Sequence, residues 1–457
     1  MKNQVFNPYL PCYEYIPDGE PRVFGDRLYI FGSHDKFGGK DYCENDYVTW
    51  SAPIDDLSDW RYEGVIFRKD QDPRPGNLYA PDVIRGLDGR YYLYYSKADT
   101  SVISVAVCDT PAGKYEYLGD VCYPDGRIMG EAAEEYYQFD PSVLIDEGRV
   151  WLYSGSGQYS LQNKTKQKRV GCMAIELEPD MVTVKQAPKV ILPGSKRYFT
   201  KAFFEGASAR KIGETYYLVF PTLDMTGLNY ATSKYPDRDF TIRGSIHSTS
   251  DIGIGNSTVQ NPSYPLGNNH GGLVCIHDQW YIFDHRMTNR TMFSRQGVAE
   301  PVTILHDGSI CQVESTSCGL NGGPLRDEGT YPAYIACNLM RGSLLSGSPY
   351  ITQDKPDGDV AARQYVAGVR NGGCVGYKYI DFLSDCRSFT IQYRCSGKGT
   401  LEILQADGGL AVGSIGISKS SRWQESSCML FVTPGKSALY LKYSGSGNLE
   451  LMQFSFA

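Results

Sequence analysis

The segment DRLYIFGS, residues 26–33, recurs four more times in this chain with the same aromatic-rich pattern. The other copies are GRYYLYYS (89–96), GRVWLYSG (148–155), ETYYLVFP (214–221) and DQWYIFDH (278–285). Their aligned aromatic residues, Tyr29, Tyr92, Trp151, Tyr217 and Tyr281, are about 60–66 residues apart, and a turn signal precedes each copy. Repeats of this length, which begin on a strand and continue through hairpins, are typical of the blades of a β-propeller.

The rest of the chain predicts a second domain. A chain of 457 residues is too long for one ordinary core. After the Gly- and Ser-rich segment 306–326, short alternating strands such as YKYIDF and LELMQFSF continue with a different spacing. With 35 tyrosines and 49 glycines, the composition favours an all-β class. We therefore predict a five-bladed β-propeller over residues 1–320, followed by a jelly-roll-like β-sandwich over residues 321–457.

The bulk properties exclude several classes of partner. A formal net charge of −7 with no basic run argues against nucleic acid and anionic membranes. No apolar stretch approaches the roughly 18 residues of a membrane-spanning helix. The N-terminus has no apolar core of a secretory signal, and the thirteen cysteines show neither CxxC pairs nor zinc-ligand spacing. We therefore expect a cytoplasmic protein with reduced thiols.

Polar residues occupy one phase of the repeat. Asp18, Asp82, Asp140, Glu205 and His270 each lie 10–12 residues before the aligned aromatic residue. Taken singly, an Asp next to Pro or Gly is more often a turn or cap residue than a functional one. If the blades are arranged radially, however, equivalent positions converge near one axis. The pattern therefore predicts a site where four carboxylates and an imidazole meet.

Several ordered motifs carry a resemblance to a known family. They are IPDGEPRVFGDRLYIFGSHD, YAPDV, FDPSVLID, FFEGASARKI, GNNHGGLV and FDHRMT, within residues 7 to about 320. In this order and spacing they resemble glycoside hydrolase family 43, whose members are five-bladed propellers that hydrolyse arabinose- and xylose-containing glycans with inversion at the anomeric carbon.

The resemblance implies roles for three carboxylates. Asp18 is expected to be the general base and Glu205 the general acid, while Asp140 orients Glu205 and raises its pKa. Hydrolysis with inversion needs an acid and a base on opposite faces of the sugar, roughly 6.5–9.5 Å apart, so that a water fits between them. Residues on different blades are suited to such a separation. The apolar neighbours in FFEG also favour a raised pKa for Glu205.

Further positions follow from the same resemblance. His270 in GNNHGG resembles an axial histidine near a cation, so we expect Ca²⁺ close to it, with waters completing the shell because calcium prefers oxygen ligands. Arg286 in FDHRMT is expected to contact the substrate. Substrate contacts are also expected from Tyr79, where relatives commonly carry tryptophan, from His34 in GSHD, and from Phe204.

The predicted function is that of an exo-acting hydrolase. It would remove β-D-xylosyl or α-L-arabinofuranosyl residues from xylo- or arabino-oligosaccharides, and no residue decides between the two sugars. The alternatives are a phosphorylase or transferase on the same propeller and an inactive sugar-binding propeller. The C-terminal domain resembles a family 6 carbohydrate-binding module, although Met452 and Gln453 replace its usual closing Asp-Trp pair. The sequence leaves both a monomer and a homo-oligomer open.

Overall fold

A computed structural model describes residues 3–158, 166–195, 201–341 and 347–457. Nearly all regular structure in these residues is β-strand, apart from short 3₁₀ turns at Lys69–Gln71, Gly319–Asn321 and Ala333–Ile335. The predicted fold class, a five-bladed propeller followed by a sandwich, is confirmed. Within the described residues, no helix is long and apolar enough to cross a membrane.

The propeller consists of five antiparallel sheets whose strands follow one another in chain order. Blade 1 is formed by β1 (Glu20–Phe24), β2 (Arg27–Phe31), β3 (Tyr47–Pro53) and β4 (Arg61–Phe67). Blade 2 is formed by β5 (Leu78–Arg85), β6 (Tyr91–Lys97), β7 (Ile103–Cys108) and β8 (Glu116–Asp120). Blade 3 is formed by β9 (Ser142–Asp146), β10 (Arg149–Ser156), β11 (Gly171–Leu177) and β12 (Val184–Pro193). Blade 4 is formed by β13 (Ser208–Ile212), β14 (Thr215–Pro221), β15 (Leu228–Ser233) and β16 (Thr241–His247). Blade 5 is formed by β17 (Leu273–Ile276), β18 (Gln279–Met287) and β19 (Arg295–Val302).

The repeated aromatic segment is the second strand of every blade, and the turn signal before it closes a hairpin. In blade 3, Glu147 and Gly148 connect Asp146 to Arg149 with φ angles of 49° and 71°. Two residues with positive φ form the type of turn that matches the twist of an antiparallel pair. This local chemistry explains why the repeats could be found from the sequence.

Apolar clusters lie between neighbouring blades, and the last of them closes the ring. Leu28 and Ile30 of blade 1 pack in one cluster with Val274 and Phe283 of blade 5. The N-terminal segment adds a polar clasp, because the Asn7 side chain donates to the carbonyl of Ala299 at 3.1 Å and accepts from its N–H at 2.9 Å. The first and last blades are thus held together by both packing and hydrogen bonds.

The C-terminal domain is a sandwich of two sheets that enclose one apolar core. The first sheet contains, in bonding order, β20 (Leu325–Arg326), β24 (Cys374–Phe382), β29 (Gly435–Gly445), β26 (Gly399–Gln405) and β27 (Ala411–Ile417). The second contains β22 (Tyr350–Gln353), β23 (Gln364–Val369), β30 (Leu449–Phe456), β25 (Cys386–Cys395) and β28 (Ser420–Phe431), with β21 (Gly329–Pro332) also paired to β30.

Buried polar contacts join the sandwich to the propeller. The Lys378 ammonium of β24 lies 2.7 Å from Asp251 and 3.0 Å from Glu314. On another side, the Tyr15 hydroxyl donates to Gln353 at 2.5 Å and accepts from Gln364 at 2.8 Å. Since these groups are mostly buried, the contacts define how the two domains pack against each other.

Candidate active site

The innermost strands of the five blades place one residue each at an equivalent position. The position is defined by strand pairing: it lies two residues before the residue that pairs with a fixed point of the second strand. The fixed points in blades 1 to 5 are Phe31, Tyr94, Tyr153, Val219 and Phe283. The equivalent residues are Asp18, Ala80, Asp140, Gly206 and His270. The first four of them have positive φ angles of 56°, 22°, 44° and 63°. The backbone therefore turns in the same sense at these four positions, and Asp18, Ala80, Asp140 and His270 line one cavity.

Asp82 does not belong to this ring, contrary to the single phase inferred from the sequence. It lies two residues further along its strand, opposite Tyr94, and is fully buried. Its carboxylate accepts three hydrogen bonds from Arg22, at 2.5, 2.7 and 3.0 Å, and one from the N–H of Val143 at 2.8 Å. Asp82 therefore forms a buried ion pair between blades. The hairpin of blade 2 is one residue longer than that of blade 1, because Tyr92 pairs with Ile84, eight residues earlier, whereas Tyr29 pairs with Arg22, seven residues earlier. Equal distances from the aromatic residue therefore do not mark equal strand positions in the two blades.

A cavity of about 510 Å³ brings the remaining predicted carboxylates together. Asp18 enters it from blade 1, Asp140 from blade 3 and Glu205 from blade 4, and His270 lines it from blade 5. Its size lies within the usual range of small-ligand pockets. Three carboxyl groups from separate blades can thus act on one bound molecule.

Asp18 is held as a charged group. Its Oδ1 lies 3.0 Å from Nη1 of Arg295, whose other guanidinium nitrogens bind Asp35 at 2.8 and 2.9 Å. Burial by itself raises the pKa of Asp18, but the charge of Arg295 outweighs it, and the pKa lies below its usual value. An ionised carboxylate at this position is suited to accept a proton.

Asp140 and His270 occupy the floor of the cavity. The Nδ1 atom of His270 lies 3.9 Å from Asp18 Oδ1 and 3.8 Å from Asp140 Oδ2. Burial and the neighbouring carboxylates of Glu205 and Asp18 raise the pKa of Asp140 well above its usual value. Within the described chain, Asp140 Oδ1 has no hydrogen-bond partner, which leaves an acceptor or donor for a ligand or water.

Glu205 is tuned in the direction opposite to Asp18. Withdrawal from bulk water raises the pKa of Glu205 to about 7, although the charge of Arg169 opposes the rise. Arg169 is fixed by its bond to Ser156 Oγ at 2.7 Å and by stacking on Tyr137, with the guanidinium carbon 3.7 Å from the ring centre. A carboxyl group with such a pKa carries a proton that it can give up near neutral pH.

Aromatic rings form part of the cavity wall. Tyr79 and Phe204, both predicted from the sequence, line it together with Tyr42, Tyr137 and Phe139. The Tyr79 ring meets Phe139 edge to face, with centroids 5.8 Å apart. Flat apolar faces beside polar groups suit a sugar ring, which has both kinds of surface.

Two predicted substrate contacts lie elsewhere. Arg286 is buried at the domain junction, where its guanidinium donates to the carbonyls of Ala336 and Tyr334 at 3.0 and 2.8 Å. His34 lies beside the cavity wall rather than on it and pairs with the carbonyl of Asp46 at 2.8 Å. Both predictions are corrected: Arg286 holds the segment that leads into the sandwich, and His34 holds a loop of blade 1.

Arg295 lines the cavity, where Arg286 was expected. On the paired strands β18 and β19, Arg286 lies opposite Gln296, while Arg295 lies opposite Met287. Neighbouring residues of a strand face opposite sides, so a shift of one residue decides which arginine reaches the cavity. A pattern of motifs contains no such register information. Asn269, Tyr42 and Arg169 were missed as well. Asn269 stands in the GNNHGG motif next to His270, whereas the sequence around Tyr42 and Arg169 carries no signal that singles them out.

Comparisons with known proteins find one matching family and several relatives. The family described as Glycosyl hydrolases family 43 matches residues 17–310. A xylosidase/arabinosidase of Thermoclostridium stercorarium is 47% identical over 476 aligned positions, which cover 100% of this chain and 99% of that protein. The C-terminal sandwich lies outside the family match, and its carbohydrate-binding resemblance stays a prediction.

Solved structures show the same architecture. An arabinoxylan arabinofuranohydrolase from Bacillus subtilis, crystallised with cellotetraose, superimposes with a TM-score of 0.54 at 20% identity and covers 99% of this chain and 97% of its own. A beta-xylosidase/alpha-arabinofuranosidase from a compost metagenome, in a calcium-free form with xylotriose, has a TM-score of 0.53 at 25% identity. That match covers 66% of this chain and 95% of the metagenomic enzyme.

Proposed function

Because this chain belongs to glycosyl hydrolases family 43, we propose that it is an inverting, exo-acting hydrolase of xylosyl and arabinofuranosyl residues. Its substrates would be short xylo- or arabino-oligosaccharides. The observation that carries the proposal is one cavity in which Asp18 has a lowered pKa and Glu205 a raised one. Two carboxyl groups tuned in opposite directions are what an acid and a base on one substrate require.

The reaction assigns one proton transfer to each carboxyl group. Glu205 donates its proton to the glycosidic oxygen as the bond to the anomeric carbon breaks, and the leaving group departs as an alcohol. Asp18 accepts a proton from a water that attacks the anomeric carbon from the opposite face. Arg295 supports this step because it keeps Asp18 ionised. The product sugar then has the inverted configuration.

Asp140 is proposed to act on Glu205 rather than on the substrate. The charge of Glu205 raises the pKa of Asp140, and the two carboxyl groups titrate as a pair, so one of them keeps a proton near neutral pH. The rise at Glu205 comes chiefly from its removal from bulk water, and the carboxylate that adds to it is Asp18 rather than the predicted Asp140. Asp140 therefore shares a titration with Glu205, while burial sets most of the pKa of the acid.

The proposed choice of sugars rests on the relative that spans the whole chain, which is named for both activities. β-D-Xylopyranose and α-L-arabinofuranose are both neutral pentose units that offer hydroxyls and an apolar face. The cavity offers the matching surfaces, with Tyr79 and Phe204 on its wall and Asn268 and Asn269 beside His270. We therefore propose that one pocket accepts either sugar at the non-reducing end.

The predicted calcium ion beside His270 is tested by the donors around that ring. In the parts of the chain that the structure describes, no group of three or more His, Cys, Asp or Glu side chains is arranged to hold a metal ion. Calcium prefers six to eight oxygen ligands, whereas the nearby Asp18 Oδ1 is already engaged by Arg295. The described side chains therefore do not form a calcium shell by themselves, so the predicted ion would take most of its ligands from water, and no step of the proposed reaction passes through it.

The proposal is tested on the unmodified enzyme with an aryl β-D-xyloside and an aryl α-L-arabinofuranoside. We expect hydrolysis of both, and proton NMR of the xyloside reaction should show the α-anomer of xylose as the first product. Added inorganic phosphate should leave the rate and the product unchanged. A first product with retained configuration would contradict inversion, and a sugar phosphate would instead show a phosphorylase.

The proposed acid and base also predict a pH profile. Activity requires Asp18 ionised and Glu205 protonated, so kcat/KM should fall above pH 7 by about tenfold per unit, as Glu205 loses its proton. On the acid side the fall should begin only below the usual pKa of an aspartate, because the pKa of Asp18 is lowered. The measurement is kcat/KM for xylobiose, whose leaving alcohol needs the proton of Glu205, between pH 3 and 9.

A charge change near Glu205 tests the assignment of the alkaline limb. Arg169→Met removes the positive charge that opposes the raised pKa of Glu205, so the limb should move to higher pH. Lys211→Met is the control, since Lys211 pairs with Asp146 at 2.8 Å and lies outside the cavity wall. An alkaline limb that stays in place in Arg169→Met would argue that Glu205 is not the group it reports.

A further inference from the structure

Behind the cavity lies a buried carboxylate, Asp284 of β18, that none of the proposed proton transfers uses. It is 1% exposed. Its Oδ1 accepts from the backbone N–H of His285 at 2.8 Å, and its Oδ2 accepts from the His247 ring at 2.8 Å and from Asn269 Nδ2 at 3.0 Å. A buried carboxylate with this many donors is highly ordered.

One of these donors leads directly into the cavity. Asn269 lines the cavity wall beside His270. A carboxylate only accepts hydrogen bonds, so the amide nitrogen of Asn269 must be the group turned towards Asp284. The amide oxygen is then the atom left to accept a hydrogen bond from another partner, such as a sugar hydroxyl. Asp284 thereby sets the orientation of the Asn269 amide relative to the cavity.

The second donor to Asp284 is the backbone N–H of His285, a residue that also contacts the proposed base, Asp18. The N–H of Asp18 donates to Nδ1 of His285 at 3.2 Å, so that nitrogen carries no proton. The proton is on Nε2, which lies 3.3 Å from Asn268 Oδ1. Burial lowers the pKa of His285, in agreement with a neutral ring. Since Asp284 also holds the backbone N–H of His285, it positions the residue against which Asp18 rests.

The third donor to Asp284 is the ring of His247. His247 ends β16 in blade 4 and is 1% exposed. Burial alone would lower its pKa, but the bond to Asp284 and the charge of that carboxylate raise it above its usual value. The hydrogen bond between the His247 ring and Asp284 links blade 4 to blade 5 behind the cavity.

We infer that Asp284 is a positioning residue for glycoside hydrolysis, which orients Asn269 towards a hydroxyl of the bound sugar and seats His285 against Asp18. This inference rests on the proposed function. Asp284 acts through these two neighbours, and the His247 ring holds its carboxylate in place. A misplacement of about 1 Å at such a site lowers a rate by roughly 100-fold.

The test is Asp284→Asn, which keeps the shape and removes the charge. We expect kcat/KM on an aryl xyloside to fall by roughly 100-fold while the folded state persists. The matched control is Asp251→Asn, since Asp251 is equally buried and pairs with the cation of Lys378 away from the cavity. The control should lower the melting temperature about as much as Asp284→Asn does, without the loss of kcat/KM.

A double-substitution cycle separates positioning from a general structural role. If Asp284 acts partly through Asn269, Asn269→Ala should reproduce part of the loss, and the pair Asp284→Asn with Asn269→Ala should lose less than the product of the two single losses. Losses that multiply, or an Asp284→Asn enzyme within twofold of the parent, would overturn the inference. If Asp284→Asn does not fold, a fully active Asn269→Ala enzyme would do the same.

Failure of this inference is distinct from failure of the proposed function. Loss of activity in Asp18→Asn together with full activity in Asp284→Asn would leave the hydrolase assignment intact and refute only the positioning role. Full activity in Asp18→Asn would remove the proposed base itself, and with it the reason for His285 to be seated there.

Discussion

Asp18→Asn is expected to abolish hydrolysis of both aryl β-D-xyloside and aryl α-L-arabinofuranoside, with kcat/KM lowered by roughly 10²–10⁴-fold. The amide cannot take a proton from the attacking water, and no leaving group, however good, replaces that step. The pairing with Arg295 is also weakened, because a neutral amide is a poorer partner for a guanidinium than the carboxylate at 3.0 Å. Steady-state kinetics on both substrates provide the measurement.

A matched control lies in the same blade. Asp26 is exposed in the two-residue turn between β1 and β2, so Asp26→Asn makes the same chemical change outside the cavity and should leave kcat/KM unchanged. Unfolding temperatures of both variants show whether a loss reflects unfolding. An Asp18→Asn enzyme that retains full activity on either substrate would refute the assignment of the base.

Glu205→Gln is expected to produce a loss that depends on the leaving group. For xylobiose, whose leaving alcohol needs a proton, kcat should fall by roughly 10²–10⁴-fold. For an aryl xyloside with an acidic phenol, protonation is hardly needed and the loss should be small. The alkaline limb of the pH profile should also disappear, because the group whose pKa is raised to about 7 is gone.

The comparison for this prediction is Glu214→Gln. Glu214 is exposed in the turn between β13 and β14 of the same blade, and its replacement should change neither the rates nor the pH profile. An equal loss on all leaving groups would show that Glu205 does not act as the acid, whereas a graded loss identifies proton donation as its role.

Most of the fold could be predicted because its information is local. Each blade repeats the same hairpin, with an aromatic strand after a turn such as Glu147-Gly148, whose positive φ angles fit that turn. The count of blades and the start of a second domain follow from spacing alone. The closure of the ring could not be predicted in this way. It depends on contacts between residues nearly 300 positions apart, such as Asn7 and Ala299.

The site was partly predictable for a related reason. Asp18 and Asp140 share a true repeat position, and Glu205 precedes the glycine at the equivalent position in blade 4. Asp82 and Arg286 were misplaced because a shift of one or two residues along a strand changes the face or the depth of a side chain. Strand register is a property of the paired strands, and one strand's sequence does not contain it.

The closure of the ring between blade 1 and blade 5 has a consequence for when the enzyme becomes active. Asp18 stands at the entry of the first blade, whereas its partners Arg295 and His285 belong to the last. During synthesis the ribosome must therefore produce nearly the whole propeller before the proposed base receives the cation that keeps it charged. A nascent chain that ends at blade 4 already contains Asp18 but neither Arg295 nor His285. The proposed chemistry therefore requires that the two ends of the propeller meet.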